Sequence, residues 1–143
     1  MFLVSRPRGS HVNVRTIDHV NLRVPEDGLT EARAFYADAL GLELEGVDRF
    51  EAGDKPFFDV RLAPEHVIHL WPTETFEPPE ATNYDHVALV VDEELAAVRE
   101  RLADAGIEVE RELDSPLGAT GEAPAVYVRD PFGYRVELKA PVG

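Results

Sequence analysis

IDHVNLRV at residues 17–24 returns as YDHVALVV at residues 84–91, and that repetition decides how the rest of the chain is read. In both copies Asp-His-Val opens a run in which apolar residues alternate, the signature of a half-buried strand. A helical stripe follows each copy. The first runs through Leu29, Ala32, Phe35, Ala39 and Leu40, with Thr30 as its expected cap and Gly41 at its left-handed end. The second runs through Leu95, Val98, Leu102 and Ala105, with Asp92 as its expected cap and Gly106 at its end. LELEG at 42–46 and IEVER at 107–111 then read as short strands. Hairpin-like pairs close the halves, FFDVRLAPEHVIHLW at 57–71 and AVYVRDPFGYRVELK at 125–139. In the second, Asp130-Pro-Phe-Gly marks the turn, because proline fixes φ and glycine relieves strain. Each half is thus β-α-β-β-β. The pattern predicts an α+β fold in a single domain over 15–143, with module one at 17–73, a linker at 74–83 holding Pro78 and Pro79, and module two at 84–140. Residues 113–124, LDSPLGATGEAP, read as a mobile loop. Residues 1–14 read as a tail without pattern, and PRGSH within it resembles a vector-derived scar.

A chain of 143 residues can bury a core without staples, and this one has no cysteine. Any metal is therefore left to histidine and carboxylate ligands. The formal charge of −14 repels phosphate backbones and anionic lipid, so neither nucleic acid nor a membrane is an expected partner. Lys55 and Lys139 are the only lysines, and an acidic, lysine-poor surface resembles those of proteins from salt-loving organisms. The first residues hold too few apolar side chains for a secretory signal, and no internal run is long enough to span a bilayer, so a soluble cytoplasmic protein is expected.

Strand parity sorts the polar residues. With Val20, Leu22 and Val24 turned toward the helices, His19, Asn21 and Arg23 take the other face. The same test sends His86 to that face in the second copy, as it does Val67, His69 and Trp71 against Ile68 and Leu70, and Arg135, Glu137 and Lys139 against Val136 and Leu138. Fifty residues separate His19 from His69, and fifty-one separate His86 from Glu137. Each module thus offers one pair of metal-ligand types at equivalent places, and His19, His69, His86 and Glu137 are the candidate ligands. One divalent ion per site is expected, with Zn, Ni, Fe, Mn and Co all suited to three imidazoles and a carboxylate. The same parity nominates Arg23, Asp59, Arg61, Trp71, Tyr127 and Arg135 for substrate contact, Arg61 and Tyr127 first, and arginine there suits an anionic small molecule. Asp18 and Asp85 read as strand-end groups facing away, His66 as a turn or edge residue, and His11 belongs to the tail.

The DHV start of each module, AFYADALGLEL at 34–44 and VRDPFGYRVEL at 128–138 resemble the vicinal oxygen chelate superfamily, which includes glyoxalase I, extradiol dioxygenases, methylmalonyl-CoA epimerase and antibiotic-resistance proteins. The resemblance covers about residues 17–140. It implies two half-barrel modules forming a cup around a metal whose ligands come from the first and last strand of each, which carries to His19, His69, His86 and Glu137. It also implies paired subunits, hence a homodimer. Glyoxalase I has a proton-moving glutamate where this chain has His69, and extradiol dioxygenases resemble the chain in only two histidines and a glutamate. The implied function is a divalent-metal-dependent isomerase, lyase or epimerase acting on a small molecule with neighbouring oxygens, with Glu137 as the catalytic base. A non-catalytic ligand-binding or resistance protein and an Fe(II) extradiol-type dioxygenase are the alternatives.

Overall fold

A computed structural model describes residues 15–80 and 83–142; the tail at 1–14, with His11 in it, and part of the 74–83 linker lie outside the described residues. The first module runs β1 (His19–Pro25), α1 (Leu29–Ala32), β2 (Glu43–Glu45), α2 (Val47–Glu51), β3 (Phe58–Ala63) and β4 (His66–Thr73). The second runs β5 (Val87–Val90), α3 (Leu95–Asp104), β6 (Arg111–Leu113), β7 (Leu117–Gly118), β8 (Gly121–Glu122), β9 (Ala125–Arg129) and β10 (Arg135–Lys139). Two four-stranded sheets result, ordered β1-β4-β3-β2 and β5-β10-β9-β6. The order is the same in both. Each sheet begins with a parallel pair, β1 with β4 and β5 with β10, because the helix carries the chain back before the antiparallel strands are added. No helix among the described residues is long and apolar enough to cross a membrane.

Alternation puts Leu22, Val24, Val60, Ile68 and Leu70 of the first sheet on the buried side, and Val126, Val128, Val136 and Leu138 of the second. All of them join the helix residues Ala32, Phe35, Tyr36, Val98 and Leu102 in one hydrophobic cluster. The two modules therefore share a core. At roughly 1.5–3 kcal/mol per buried large aliphatic or aromatic side chain, this shared face dominates the attraction between the halves. Two hydrogen bonds fix the alignment: the Tyr134 hydroxyl donates to the Arg23 carbonyl at 2.7 Å, and the Tyr36 hydroxyl donates to the Asp130 carboxylate at 2.7 Å.

Several local details differ from the sequence reading. The helix after β1 widens at Arg33–Ala39 into a π-helical turn, in which the Leu40 amide reaches back to the Phe35 carbonyl. This places Phe35, Tyr36 and Ala39 together in the core. Neither expected cap operates: Gly28 and Glu94 hold the N-cap positions and make no side-chain cap bond. Gly28 lies there because a Cβ would come within 3.0 Å of both the Phe132 ring and the Pro25 carbonyl. Gly41 and Gly106 do end their helices with positive φ. The strand expected at 107–111 forms at Arg111–Leu113 instead, where it pairs with Tyr127, Val126 and Ala125. The loop expected at 113–124 contains the β7–β8 hairpin, closed through the two residues between Gly118 and Gly121. That hairpin lies against the end of β10, where the buried Lys139 ammonium donates to the Gly121 carbonyl.

The Asp130-Pro-Phe-Gly turn is held from within. Asp130 accepts the Phe132 amide at 2.9 Å, the Tyr134 amide at 2.8 Å and the Tyr36 hydroxyl, while burial pushes its carboxyl above the usual aspartate range. Asp130→Ala leaves three buried donors without an acceptor, and a stability loss of about 3 kcal/mol is expected in urea unfolding. Tyr36→Phe, which removes one donor and strands none, should cost only about 1 kcal/mol.

Candidate metal and substrate site

Register explains how the ligand types meet. On β1 and β4, Asn21 is paired with His69, so His19, two residues earlier on the same face, is His69's diagonal neighbour. On β5 and β10, Ala88 is paired with Glu137, which puts His86 in the same diagonal relation to Glu137. The duplication thus extends to the geometry. The His19 and His69 rings lie 4.1 Å apart between centroids, and His86 Nε2 lies 3.2 Å from Glu137 Oε1. Glu137 is 5% exposed, a buried carboxylate of the kind that needs a cation or donor beside it. Within one chain the four residues form two pairs. Among the described residues no three His, Asp or Glu side chains come together around a single ion position.

All three histidines are oriented in the same way. His19 Nδ1 meets Asp18 at 2.7 Å, His86 Nδ1 meets Asp85 at 2.5 Å, and His69 Nδ1 meets Asp59. A carboxylate can only accept, so each ring donates from Nδ1. In the neutral ring that leaves Nε2 as the nitrogen offered to a metal. Asp18 and Asp85 therefore do not face away, contrary to the parity reading. Parity applies only inside a pleated strand; Asp18 precedes β1, and both Asp85 and His86 precede β5. The hydrogen bonds from the imidazoles hold both aspartates below the usual carboxylate range.

The nominated substrate residues fare differently. Arg23, paired with Trp71 across β1 and β4, sets its guanidinium 5.1 Å from the Trp71 ring centre. Phe57, which the sequence reading passed over although it shares the parity of Asp59, stacks on Trp71 at 5.0 Å with planes 14° apart and touches the His69 ring at 4.4 Å. Tyr127 stands 5.1 Å from His86 beneath the Arg135 guanidinium. Arg61 is engaged elsewhere: it donates to Glu45 at 2.8 Å and to the Ala63 and Pro64 carbonyls, because β2 brings Glu45 to the same face. His66 binds the Ile17 carbonyl, consistent with an edge role.

A family model for the glyoxalase/bleomycin resistance protein/dioxygenase superfamily matches residues 16–138. The chain belongs to this superfamily. Among solved structures, superfamily-like folds are similar over nearly the whole chain. A putative glyoxalase family protein from Bacillus anthracis is 25% identical, with 92% of this chain and 99% of that one covered and a TM-score of 0.68. An integron cassette protein from the mobile metagenome of V. cholerae is 22% identical over 91% and 98% of the chains, with a TM-score of 0.70. A glyoxalase/dioxygenase from Nostoc punctiforme is 21% identical over 92% and 94%, with a TM-score of 0.70. No curated protein matches the chain. Members of the superfamily commonly use a divalent metal, and the donor set here suits one: three imidazoles and one buried carboxylate.

Charge pairing around this face sets a pH dependence. The Arg129 guanidinium donates to Glu110 and holds its carboxyl below the usual glutamate range, Arg135 adding to the effect against the opposing pull of burial. A lowered folded-state value contributes stability above the ordinary glutamate pKa and loses it as pH falls through the lowered value. The stability advantage of the natural protein over Glu110→Gln is therefore expected to be largest near neutrality and to vanish in acid. Urea midpoints for both proteins at pH 7 and at about pH 3 check this.

Proposed function

We propose that the chain is a divalent-metal-dependent enzyme of the isomerase, lyase or epimerase kind, acting on a small, oxygen-rich substrate in a site assembled from two copies of the chain. The observation that carries the reading is the pair of register-equivalent half-sites, His19 with His69 and His86 with Glu137. Two donors hold a metal ion poorly, whereas the first pair of one subunit and the second pair of its partner supply four. The sheets support such a pairing. β1 and β5 are edge strands. Open strand edges favour a partner, and in a two-fold dimer each chain gives and receives the same surface.

When bound, the ion supplies Lewis acidity toward substrate oxygens. The protein's groups do the rest. Glu137, buried and within 3.2 Å of His86, is placed to take a proton from substrate and return it. Trp71 and Phe57 form an apolar wall beside His69, and Arg23 at its end provides a charge for an anionic group. The stacked Phe57 and Trp71 rings with the Arg23 guanidinium beside them favour a second reading, a metal-free binding protein that sequesters a flat anionic molecule.

Metal analysis of tag-free protein after incubation with each of Zn, Ni, Fe, Mn and Co, alongside its native mass, separates these readings. A dimer holding about one ion per site is expected. A protein that retains none of the ions favours sequestration, a monomer in high salt refutes the shared site, and oxygen uptake with Fe(II) favours a dioxygenase.

A further inference from the structure

Of the three carboxylates that hold site histidines, Asp59 differs from the other two. Asp18 and Asp85 are exposed sequence neighbours of their histidines, whereas Asp59 is 8% exposed and reaches His69 across the β3–β4 ladder, where the two residues are in register. Its second oxygen is also taken. Lys55 Nζ donates to Asp59 Oδ2 at 2.7 Å, and the ammonium lies 4.5 Å from the Phe57 ring centre. The space for this lysine is built into the chain: Gly46 has φ +74°, and a Cβ there would fall 2.6 Å from Lys55 Nζ. Lys55, Asp59 and His69 form a continuous line that ends at the free Nε2 of the candidate ligand.

We infer that Lys55 and Asp59 are positioning residues for His69, fixing its ring and its tautomer so that Nε2 alone is offered to the ion. The ammonium on one carboxylate oxygen fixes the rotamer of Asp59, and its other oxygen faces Nδ1 of His69 and accepts from it. Phe57 closes the other side of the ring at 4.4 Å, so His69 has little freedom to turn. His19 and His86, whose aspartates are open to water, are held less firmly. Module one thereby carries the rigid ligand around which the others adjust.

The inference rests on the proposed metal site only for its affinity arm, and the experiment separates the two. Nitrogen-15 correlation spectra of metal-free protein, recorded where the ring is neutral, report which nitrogen of His69 bears hydrogen. The natural protein should show the Nδ1–H form almost alone, and Asp59→Asn and Lys55→Met should both show a mixture. In a competition between the protein and a chelating dye for Zn, Asp59→Asn should weaken binding by about 10- to 100-fold and Lys55→Met by less, while Asp18→Asn changes it little. Lys55→Met keeps the length of the side chain and covers the case in which Asp59→Asn fails to fold. Unchanged His69 spectra in the folded variants overturn the inference. Altered spectra in a protein that binds no Zn leave the positioning role standing and overturn the metal reading.

Discussion

His86→Ala is expected to empty the metal site. The substitution removes one of four ligands and takes away the imidazole beside the buried Glu137. Sharing a typical site free energy among four ligands gives a loss of roughly a hundredfold in affinity, enough to take bound Zn from about one ion per site to little or none after dialysis. The fold should survive, since His86 lies outside the hydrophobic cluster and before the start of β5. Elemental analysis with circular dichroism reads both quantities. Stoichiometry unchanged in a folded His86→Ala protein sinks the ligand assignment.

A mixture of two metal-free variants is expected to regain metal. His69→Ala damages the first half-site and His86→Ala the second, so neither homodimer holds a complete set. Unfolding the two together and refolding the mixture at equal concentrations makes half of the dimers mixed, and in each mixed dimer one site receives both intact halves. About a quarter of all sites should then bind Zn. A site closed within a single chain predicts none. The recovery thus measures directly whether the halves meet across the two-fold axis.

Much of this arrangement was legible in the sequence because a strand has period two. His19, His69 and Glu137 sit off the apolar parity of their strands, and the register found for β1–β4 and β5–β10 makes the His19–His69 and His86–Glu137 pairs equivalent. The family resemblance and the α+β architecture were legible for the same reason, through a repeat that parity and helix spacing both respect. Parity could not tell an open side chain from one already engaged. Arg61 looked like one of the two leading substrate contacts, with Tyr127, but which residue of β2 stands diagonal to it depends on a three-residue pairing that no pattern announces. Asp18 and Asp85 were misplaced because the strand rule was extended past the strand ends, although an Asp-His pair recurring in both modules was itself a signal. Lys55 gave none. It lies between α2 and β3, and its role comes from a glycine nine residues earlier that leaves room for it. The π-helical turn at Arg33–Ala39 is similarly invisible, since its apolar positions satisfy an ordinary helical stripe equally well.

Neither lysine presents a free amine at the protein's surface. Lys55 lies between Asp59 and Phe57, and Lys139, 3% exposed, is covered by the Gly118–Gly121 hairpin, where a single methyl at Gly118 would stand 2.8 Å from its nitrogen. Acylating reagents of the succinimidyl kind attack only an unprotonated amine that they can reach. Acylation at Lys139 can proceed only while the hairpin is lifted, so its rate is a clock for that motion, read by peptide mass mapping without adding any probe to the chain.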